Sequence, residues 1–527
     1  MSTLGALRVL RRAGLLDPLR PDDALRSTRQ TLRIGPVAAA IARGARRHPE
    51  RTAVVDDDEA VTFAELDRRS RCLARAMAGV EQGRRPVVGV LCRDHGRAVV
   101  AMAAAGRLGA RLVLLNTGFA GPQLLLVLER EGVDVLVLDE EFRSVADGLA
   151  GTMRVVVADG DAADGITALI ASAPAGPDPR PRRSGGLVVL TSGTTGTPKG
   201  APRDRVSPLQ TAQILDRIPL PANGCVVLAA PVFHGTGLSQ FVLALALGST
   251  VVLSRRFDAE RALASVERHG AQAMVVVPTM LHRILDLPPG RIAARDLSSL
   301  TAVYAAGSAL SPALCVRSAE LLGPVLHNVY GSTEVGIASV ATPAELALSP
   351  GCVGRPPIGS RVELVDDDGR IIDVPDVTGT IHVASTLNFR HYTDGSSKET
   401  IDGMLSTGDR GHRDRHGLLV VDGRADDMIV SGGENVYPGA VEDLIADLDE
   451  VAEVAVVGVD DAEFGQRLRA VVVLTPGSSL DPAVIREHVR DRLARHQVPR
   501  DVVFTASLPR NAMGKVLRRE LPDGDPG

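Results

Sequence analysis

The chain has 527 residues, of which 45% are hydrophobic and 23% are charged, and its formal net charge at pH 7 is −5. This length predicts roughly three or four domain-sized units, the apolar content excludes a disordered chain, and the small acidic surplus excludes a chain-wide basic surface for nucleic acid. Five widely spaced cysteines exclude a disulfide scaffold and a zinc ribbon. Because the sequence also lacks a long apolar stretch and a secretory signal, we expect a cytoplasmic protein.

Residues 1–35 form a basic lead-in. Counted through the following segment to residue 47, the chain has ten arginines and only three acidic residues, Asp17, Asp22 and Asp23. Leucines at positions 4, 7, 10 and 15 recur at nearly helical spacing beside arginines, which predicts a helix with an apolar side. Such a helix packs on the protein or lies on a membrane surface. We expect the packed arrangement, and a weak contact with a membrane surface is the alternative.

Beyond residue 35, helical stretches alternate with short aliphatic runs. Runs of Val and Leu separated by helices are typical of buried parallel strands in a wound α/β sheet. The sequence predicts helices at 35–47, 63–79 and 97–108, a first series of strands at 87–91, 111–115, 133–138 and 153–157, a linker rich in Pro, Gly and Arg at 173–186, and a second series of strands at 225–228, 250–253, 273–277 and 302–305.

After residue 351 the helices become rare and turns rich in Asp and Gly appear at 366–369 and 422–423. These turns predict a small β subdomain. The predicted fold is therefore α/β, with a large N-terminal domain of two wound α/β subdomains and a small β subdomain, followed by a small α+β C-terminal domain. The predicted boundaries are 1–35 for the lead-in, 36–424 for the N-terminal domain and 425–527 for the C-terminal domain.

Only three of the 59 basic residues are lysines, namely Lys199, Lys398 and Lys515. A lysine retained against such a bias toward arginine indicates a site that needs a compact ammonium group rather than a planar guanidinium group. The motifs around Lys199 and Lys515 favour a functional role for these two residues. For Lys398, an accident of composition is an equally good explanation.

A predicted strand at 187–190 runs directly into a loop rich in Gly and Thr at 191–200. Glycines allow backbone N–H groups to approach an anion closely, and the loop also carries hydroxyl groups and the ammonium group of Lys199. These features predict a cradle for phosphate groups. Pro198 stands where a Walker A loop requires its second glycine, so the loop is not of that type.

The loop at 191–200 resembles the signature of the adenylate-forming superfamily, and other motifs of that superfamily follow in the same order. They are Tyr-Gly-Ser-Thr-Glu at 330–334, Ser-Thr-Gly-Asp at 406–409, Gly-Arg at 423–424, a hinge motif at 424–429 and Asn-Ala-Met-Gly-Lys at 511–515. The resemblance extends over about residues 36–520 and is strongest to acyl-CoA synthetases, in particular to actinobacterial fatty-acyl-CoA synthetases. It implies ATP, Mg²⁺ and CoA as cofactors and a mobile C-terminal domain.

The resemblance also implies a role for each matching residue. Thr333 would bind the α-phosphate or the substrate carboxylate, and Glu334 would bind Mg²⁺ through its carboxylate. Tyr330 would stack on adenine. The implied ATP-binding residues are Thr191, Ser192, Gly193, Thr194, Thr195 and Gly196, together with Lys199, Tyr330, Gly331, Ser332, Asp409 and Arg424.

The C-terminal motifs complete the implied site. Asp409 and Arg424 would bind the ribose, and Asp426 would be the hinge. Lys515 would stabilise the charge that develops when the substrate carboxylate attacks the α-phosphate. The string at 430–438 resembles the acyl-CoA synthetase version of this segment, which implies that CoA binds at Ser431, Gly432, Gly433 and Glu434.

Two further segments predict the acid pocket. In 231–237, His234 is either a side chain that gates the pocket or a polar residue that caps a loop, and Gly237 lies close to it. At the end of the second wound series, the segment 304–308 resembles the wall of the acyl pocket in the superfamily, and its small residues Ala305, Ala306 and Gly307 leave room for an acyl chain. The first segment has no aspartate that could pair with an α-amino group, which argues against activation of an amino acid.

The leading hypothesis is an AMP-forming ligase that activates a medium- or long-chain fatty acid as acyl-AMP and transfers it to CoA. The alternative is adenylation of an aryl carboxylate, or of nitrite for diazotisation, in specialised metabolism. A third hypothesis, an inactive scaffold on a membrane, conflicts with the intact set of Lys199, Glu334, Asp409, Arg424 and Lys515. The expected binding partners are the acid, ATP and CoA, and we expect no binding of nucleic acid. The sequence does not decide between a monomer and a homodimer.

Overall fold

The computed structural model describes residues 3–17, 19–78, 84–119, 121–146, 153–160, 165–191, 199–203, 207–431, 434–461, 465–493, 495–511 and 515–522. Within these ranges the α-helices are α1 (Thr3–Arg12), α2 (Pro21–Arg47), α3 (Phe63–Met77), α4 (Gly96–Leu108), α5 (Gly121–Glu131), α6 (Arg143–Ala146), α7 (Ile166–Ala171), α8 (Pro208–Arg217), α9 (Gly235–Ala246), α10 (Ala259–His269), α11 (Pro278–Leu285), α12 (Pro289–Ala293), α13 (Pro312–Leu322), α14 (Pro343–Leu348), α15 (Pro438–Ala446) and α16 (Pro482–Arg490).

The strands in the same ranges are β1 (Thr52–Val55), β2 (Ala60–Thr62), β3 (Val87–Leu91), β4 (Arg111–Leu114), β5 (Val135–Leu138), β6 (Arg154–Val157), β7 (Leu187–Thr191), β8 (Lys199–Pro202), β9 (Cys225–Leu228), β10 (Thr250–Val252), β11 (Ala273–Val276), β12 (Ala302–Ala306), β13 (Leu326–Ser332), β14 (Gly336–Ala341), β15 (Arg361–Val365), β16 (Gly379–Ala384), β17 (Thr400–Ile401), β18 (Met404–Arg413), β19 (Leu419–Arg424), β20 (Ile429–Ser431), β21 (Glu434–Val436), β22 (Val451–Asp461), β23 (Gly465–Leu474) and β24 (Asp501–Phe504).

Two large sheets form the first two thirds of the described structure. The six-stranded sheet has the order β6-β5-β3-β4-β7-β8, and its neighbouring strands are parallel except for the pair of β7 and β8. The eight-stranded sheet has the order β14-β13-β12-β11-β9-β10-β1-β2, with parallel strands in its centre and an antiparallel pair at each end. The central strands are buried runs of Val, Leu and Ala, as expected for parallel strands covered on both faces.

The largest hydrophobic core joins the two sheets. Val90 and Val137 from the six-stranded sheet belong to the same buried cluster as Val226 and Val275 from the eight-stranded sheet, together with residues of α2, α4 and α9. The opposite face of each sheet has a core of its own. The two wound units therefore pack as one body around a shared interior.

The eight-stranded sheet contains four strands that the sequence analysis does not predict, namely β1, β2, β13 and β14. β1 and β2 precede the six-stranded sheet in the chain, but β1 pairs in parallel with β10 at the edge of the eight-stranded sheet. Thr250 Oγ1 donates to the carbonyl oxygen of Thr52 at 2.8 Å, across 198 residues of sequence. The chain therefore starts in the second wound unit, builds the first unit and then returns.

The lead-in is helical and packs on the protein, as expected. On α1, Ala6, Val9 and Leu10 are buried in the shared core, while the helix lies against α8. Its other side, which carries Leu4 and Leu7, is exposed. Among the described residues, no helix combines the length and the apolar run that crossing a membrane requires.

The helix α2 consists of two halves. Gly35 has a φ of +75° and breaks the helix, so the prediction of a helix over 35–47 identifies only its second half. Arg43 Nε donates to Asp23 Oδ2 at 3.0 Å, which is too short a distance for the two ends of a straight helix. The halves 21–34 and 36–47 therefore lie side by side and antiparallel.

Two smaller sheets follow in the chain. The first has the order β15-β16-β18-β17, with β19 paired to β18, and forms the predicted β subdomain. The second has the order β21-β20-β23-β22, with β24 paired to β23, and packs against α15 and α16 through Val441, Ile445, Ile485 and Val489. The predicted fold class, a large α/β N-terminal domain and a small α+β C-terminal domain, is confirmed.

Candidate active site

The Tyr-Gly-Ser-Thr-Glu motif lies at one end of the eight-stranded sheet. β13 ends at Ser332, and Thr333 and Glu334 lie in the short turn that leads into β14. A Cβ atom at Gly331 would lie 1.9 Å from the carbonyl oxygen of Gly336, so only glycine allows the two strands to approach this closely. The hairpin therefore fixes the position of the turn that carries Thr333 and Glu334.

The β subdomain presents the ribose motifs next to this hairpin. Asp409 on β18 and Arg424 on β19 are direct partners in the antiparallel register, and Arg424 Nη1 donates to Asp409 Oδ1 at 3.4 Å. The hydroxyl group of Tyr330 donates to Asp409 Oδ2 at 2.6 Å. Strand pairing thus joins Asp409 to Arg424, and a hydrogen bond joins Asp409 to Tyr330 of the eight-stranded sheet. The three residues belong to three separate motifs, and each is predicted to bind ATP.

Tyr330 and Asp409 are partly buried, which affects the protonation of both groups. Burial raises the pKa of Asp409 above its ordinary value, although the hydrogen bond from Tyr330 and the positive charges nearby act in the opposite direction. Burial and the neighbouring Asp409 raise the pKa of Tyr330 well above its ordinary value, so its hydroxyl group stays a donor. A carboxylate in this environment gains from further donors, such as the ribose hydroxyl groups that the resemblance assigns to it.

Glu334 is the carboxylate best suited to a metal ion. It is buried, and its Oε1 accepts a hydrogen bond from the hydroxyl group of Tyr392 at 2.5 Å. Burial acts to raise the pKa of Glu334, but hydrogen bonds from Tyr392 and Ser332 and the charge of Lys398 lower the pKa below its ordinary value. The side chain is therefore ionised at neutral pH. Because an ionised carboxylate is the hard ligand that Mg²⁺ prefers, Glu334 fits its predicted role.

Tyr392 is a site residue that the sequence analysis missed. Its ring is 8% exposed and packs edge-on against Phe389, with the ring centroids 4.7 Å apart. This packing holds the hydroxyl group toward Glu334. The sequence offers only the fact that tyrosine occurs four times in the chain, which does not distinguish Tyr392 from any other buried aromatic residue.

Replacing Tyr392 with phenylalanine should weaken use of Mg·ATP. The ring can still pack, but Glu334 loses a donor, and a hydrogen bond to a charged group contributes about 1.5–3 kcal/mol. We expect kcat/KM for Mg·ATP to fall by about 10- to 100-fold in a pyrophosphate-release assay, with a higher Mg²⁺ requirement. Tyr304→Phe is the matched control, because the Tyr304 hydroxyl group is buried without a hydrogen-bond partner among the described residues. An equal loss in both variants would mean that Tyr392 acts through packing alone.

Lys199 begins β8 and lies beside the same tyrosine. Its Nζ is 3.2 Å from Asp394 Oδ2 and donates to Ser396 Oγ at 3.0 Å. The same ammonium group lies 5.2 Å from the ring centroid of Tyr392, which is within the range of a cation–π contact. Lys199 is thereby placed next to the residue that orients Glu334.

Lys398 also lies in the site. Its Nζ donates to the carbonyl oxygen of Thr407 at 2.9 Å, and its charge acts to lower the pKa of both Glu334 and Asp409. This position favours a functional role over an accident of composition. The scarcity of lysine was the signal that could have identified it.

Lys515 completes this set of lysines. Its backbone N–H donates to Asn511 Oδ1 at 2.9 Å, and its side chain is exposed. The charge of Lys515 acts to lower the pKa of Asp409. A cation that acts on this carboxylate is consistent with the role in adenylate formation that the resemblance implies for Lys515, and that role stays a prediction.

The phosphate loop lies mostly outside the described residues. Thr191 ends β7, and it is paired directly with Lys199 at the start of β8. The loop residues Ser192, Gly193, Thr194, Thr195 and Gly196 are not among those described, so their binding of phosphate stays a prediction.

Arg203 is a second residue that the sequence analysis missed. It follows β8 and donates to the carbonyl oxygens of Thr333 and Leu387. Burial lowers the pKa of Arg203 to about 10, so the guanidinium group remains charged at neutral pH. Arg203 therefore ties the strand after the phosphate loop to the turn that carries Glu334. In a chain so rich in arginine, its sequence position carries no signal.

The small residues of the predicted acid pocket lie on two faces of β12. Ala306 belongs to the shared core between the sheets, whereas Ala305 belongs to the core on the opposite face of the eight-stranded sheet. Successive residues of a strand point to opposite faces, so Ala305 does not line a pocket with Ala306. We therefore correct the predicted pocket to Ala306 and Gly307.

His234 and Gly237 lie at the start of α9. The His234 side chain forms no cap to this helix, and its Nε2 is buried without a hydrogen-bond partner among the described residues. Burial lowers the pKa of His234 to about 4, so the ring is neutral at pH 7. A Cβ atom at Gly237 would lie 2.1 Å from the carbonyl oxygen of Pro231, so this glycine is required by the packing of the loop.

The predicted hinge and CoA segment lie at the start of the C-terminal domain. Asp426 is part of a single 3₁₀ turn that follows β19. Ser431 ends β20 and pairs with Glu434 at the start of β21. Gly432 and Gly433 lie outside the described residues, and the CoA-binding role of this segment stays a prediction.

The arrangement is suited to activating an acid with a nucleotide. Glu334 supplies an ionised carboxylate for Mg²⁺, Asp409 supplies an acceptor for ribose hydroxyl groups, and Lys515 supplies an ammonium group whose charge acts on Asp409. Transfer at a phosphorus centre proceeds largely by positioning and by stabilisation of the developing charge, and these groups supply both. The fold and the site thus define an adenylate-forming enzyme.

Two family profiles match the sequence. The profile of the AMP-binding enzymes matches residues 41–393, and the profile of the C-terminal domain of AMP-binding enzymes matches residues 440–515. The chain belongs to the AMP-binding enzyme family. The adenylate-forming CoA ligases of this family use ATP, Mg²⁺ and CoA.

Similar proteins are ligases of several kinds of acid. Indoleacetate–CoA ligase of Aromatoleum aromaticum is 33% identical over 91% of this chain and 96% of that protein. The fatty acid–[acyl-carrier-protein] ligase ScoC of Streptomyces coeruleorubidus is 30% identical over 91% of this chain and 94% of that protein. O-succinylbenzoate–CoA synthetase of Bacillus subtilis, in complex with its acyl-adenylate, is 28% identical and superimposes with a TM-score of 0.81 over 93% of this chain and 98% of that protein. These similarities support an acid–CoA ligase that acts through an adenylate.

Proposed function

We propose that the chain is an AMP-forming ligase that joins an aliphatic acid of medium or long chain length to CoA. In this reaction the acid attacks the α-phosphate of ATP, pyrophosphate leaves, and the CoA thiol then displaces AMP from the acyl-adenylate. The apolar surroundings of Ala306 and Gly307 are the observation that carries the choice of acid.

Three partly buried apolar side chains pack against the shared core. They are Phe233, Val277 and Ile337, which remain partly exposed, and Ala306 belongs to the same core. A Cβ atom at Gly307 would lie 3.7 Å from Val277, so these two residues are neighbours. Partly exposed apolar side chains beside small residues favour a site for a hydrocarbon chain.

The neutral ring of His234 also fits an apolar substrate. The rings of His234 and Phe233 are 4.4 Å apart, so the histidine adjoins the same apolar group. Because its pKa is lowered to about 4, His234 carries no charge at pH 7 that could pair with a second carboxylate on the acid. An unpaired carboxylate in such a place would lose its hydration without compensation.

Aryl acids are the second candidate. The observation that favours them is the 33% identity with an indoleacetate–CoA ligase, although the 30% identity with a fatty-acid ligase is nearly as high. Aromatic residues make up only 2% of the chain and tryptophan is absent from its sequence. Few side chains are therefore suited to stack on a flat ring, which favours the aliphatic acid.

A series of saturated acids from acetate to palmitate should reveal the substrate class. Because burial of one methylene group contributes about 0.8 kcal/mol, KM should fall about three- to fourfold per added carbon until the pocket ends. Pyrophosphate release would be measured with and without CoA, beside benzoate, cinnamate, indoleacetate and nitrite. If an aryl acid or nitrite exceeds every aliphatic acid by more than about tenfold in kcat/KM, the proposed acid is wrong and the second class replaces it.

A pair of variants tests the position of the pocket. Ala306→Val should shift the preferred acid to a shorter chain, because the added methyl groups occupy space at the end of β12. Ala305→Val adds the same volume to the opposite face of the strand, and we expect it to change stability without changing the preferred chain length. The same shift in both variants would contradict the assignment of Ala306 to the pocket.

A further inference from the structure

We propose that the outer side of the first half of α2 binds the surface of a bilayer that contains anionic lipids. This side consists of Leu25, Arg26, Arg29, Leu32 and Arg33 and is called the arginine–leucine face. The inference is independent of which acid the enzyme activates, because none of these residues belongs to the nucleotide or acid site.

The antiparallel halves of α2 determine which side faces outward. The half 21–34 packs on the half 36–47 through the side that carries Asp23, which is bound by Arg43. The five residues of the arginine–leucine face recur at spacings of one, three and four and therefore lie on one side of the helix. All five are exposed.

Exposed leucines are concentrated in the lead-in. Among the described residues, fifteen large hydrophobic side chains are exposed, and the five of them that lie in the first 32 residues are Leu4, Leu7, Leu19, Leu25 and Leu32. Isolated exposed leucines are common on protein surfaces. Leu25 and Leu32 differ from isolated exposed leucines because both lie on the same side of one helix, next to its exposed arginines.

The arginines of the face lack acidic partners. In the part of the chain that the structure describes, Arg26, Arg29 and Arg33 form no ion pair, and Arg33 donates only to the carbonyl oxygen of Pro181, at 3.3 Å. Asp22 is the neighbouring exposed acid on this half of the helix. The face is therefore cationic, although the whole chain is acidic.

The linker between the two wound units extends this cationic surface. The backbone N–H of Ser184 donates to the carbonyl oxygen of Leu32 at 2.8 Å, which holds the linker alongside the face. Arg180, Arg182 and Arg183 of the linker are exposed. Positive charge thus continues from α2 onto the adjacent segment.

Charge and apolarity together favour an anionic bilayer over other occupants. Guanidinium groups bind lipid phosphates, while leucines at the same level enter the boundary of the acyl chains. A nucleic acid would engage the arginines but leave Leu25 and Leu32 in water. A second copy placed symmetrically on this face would bring arginines against arginines.

The absence of tryptophan from the sequence allows a direct test with the full-length chain. Leu25→Trp introduces a single tryptophan on the face. Leu348→Trp introduces one on α14 as a control, because the two leucines are similarly exposed, Leu25 to 63% and Leu348 to 60%. With vesicles of equal parts phosphatidylcholine and phosphatidylglycerol, we expect a blue shift of emission for Leu25→Trp alone, and no shift with phosphatidylcholine vesicles. A blue shift that instead follows protein concentration without vesicles would show that a second copy covers the face, and no shift would overturn the proposal.

Co-sedimentation with the same vesicles tests the arginines. Each arginine near an anionic surface contributes roughly fivefold to partitioning, so Arg26→Gln, Arg29→Gln and Arg33→Gln combined should weaken binding by about 100-fold. The control combines Arg268→Gln, Arg283→Gln and Arg490→Gln, three exposed arginines on other helices, and should leave binding nearly unchanged. Equal weakening by both triple variants would show that net charge alone is responsible and would overturn the proposal. Pyrophosphate release should be unchanged in both.

Discussion

Replacing Lys515 with alanine should abolish formation of the acyl-adenylate and largely spare transfer of a supplied acyl-adenylate to CoA. The charge of Lys515 acts on Asp409, and in the proposed reaction charge develops at the α-phosphate only while the acid attacks it. Losing one such contact typically reduces the rate by about 10²–10³-fold. The two half-reactions would be measured separately, as pyrophosphate release and as thioester formation.

Arg519→Ala is the matched control for this prediction. Arg519 is an exposed cation on the same C-terminal segment, and its removal should leave both half-reactions unchanged. If Lys515→Ala slows both half-reactions equally, the lysine acts in folding or docking of the segment rather than in the chemistry.

Replacing Asp426 with proline should have the converse effect, with adenylate formation retained and the CoA step slowed sharply. We propose that the chain hinges at Asp426, which lies in a 3₁₀ turn between β19 and β20. Proline fixes φ near −65°, a value that a 3₁₀ turn uses, so the observed orientation remains accessible. A second orientation that needs another φ at this residue is then excluded, and the C-terminal domain cannot rotate for the second step.

The control for the hinge is Asp426→Ala, which removes the same carboxylate but leaves φ free. It should retain both half-reactions, so that a defect of the proline variant is assigned to the backbone. If Asp426→Pro carries out both steps at the original rate, the C-terminal domain does not need to rotate about this residue.

The fold was largely predictable because its strands are short aliphatic runs between helices. The predicted strands at 87–91 and 225–228 coincide with β3 and β9, since burial on both faces selects Val and Leu throughout. The pairing of β1 with β10 in the eight-stranded sheet was not predictable, because Thr52 and Thr250 of these strands are 198 residues apart in the chain. Likewise, the sequence analysis predicts only the second half of α2 and neither its first half, 21–34, nor the break at Gly35 that makes the two halves antiparallel.

The site was predictable where sequence motifs carry it. Tyr330, Asp409 and Arg424 come from three motifs and lie in contact in the structure, while their binding of ATP stays a prediction. The contact of Tyr392 with Glu334 depends on tertiary packing. The contact of Arg203 with Thr333 is made to a backbone carbonyl oxygen. Neither type of contact leaves a pattern in a single sequence. The sequence also did not indicate that Ala305 and Ala306 point to opposite faces of β12. The pleat of the strand determines this, and the small size of the two residues does not.

The confinement of lysine to the site has a chemical consequence for an enzyme of this kind. An acyl-adenylate is an acylating agent: an unprotonated amine attacks its carbonyl carbon, an amide bond forms and AMP leaves. Lysine side chains retain a small unprotonated fraction at neutral pH, whereas guanidinium groups remain protonated. With arginine as the cation at every other basic position, Lys199, Lys398 and Lys515 carry all the side-chain amines that an escaping intermediate could meet. The same composition that marks the site therefore protects the rest of the molecule from modification by its own product.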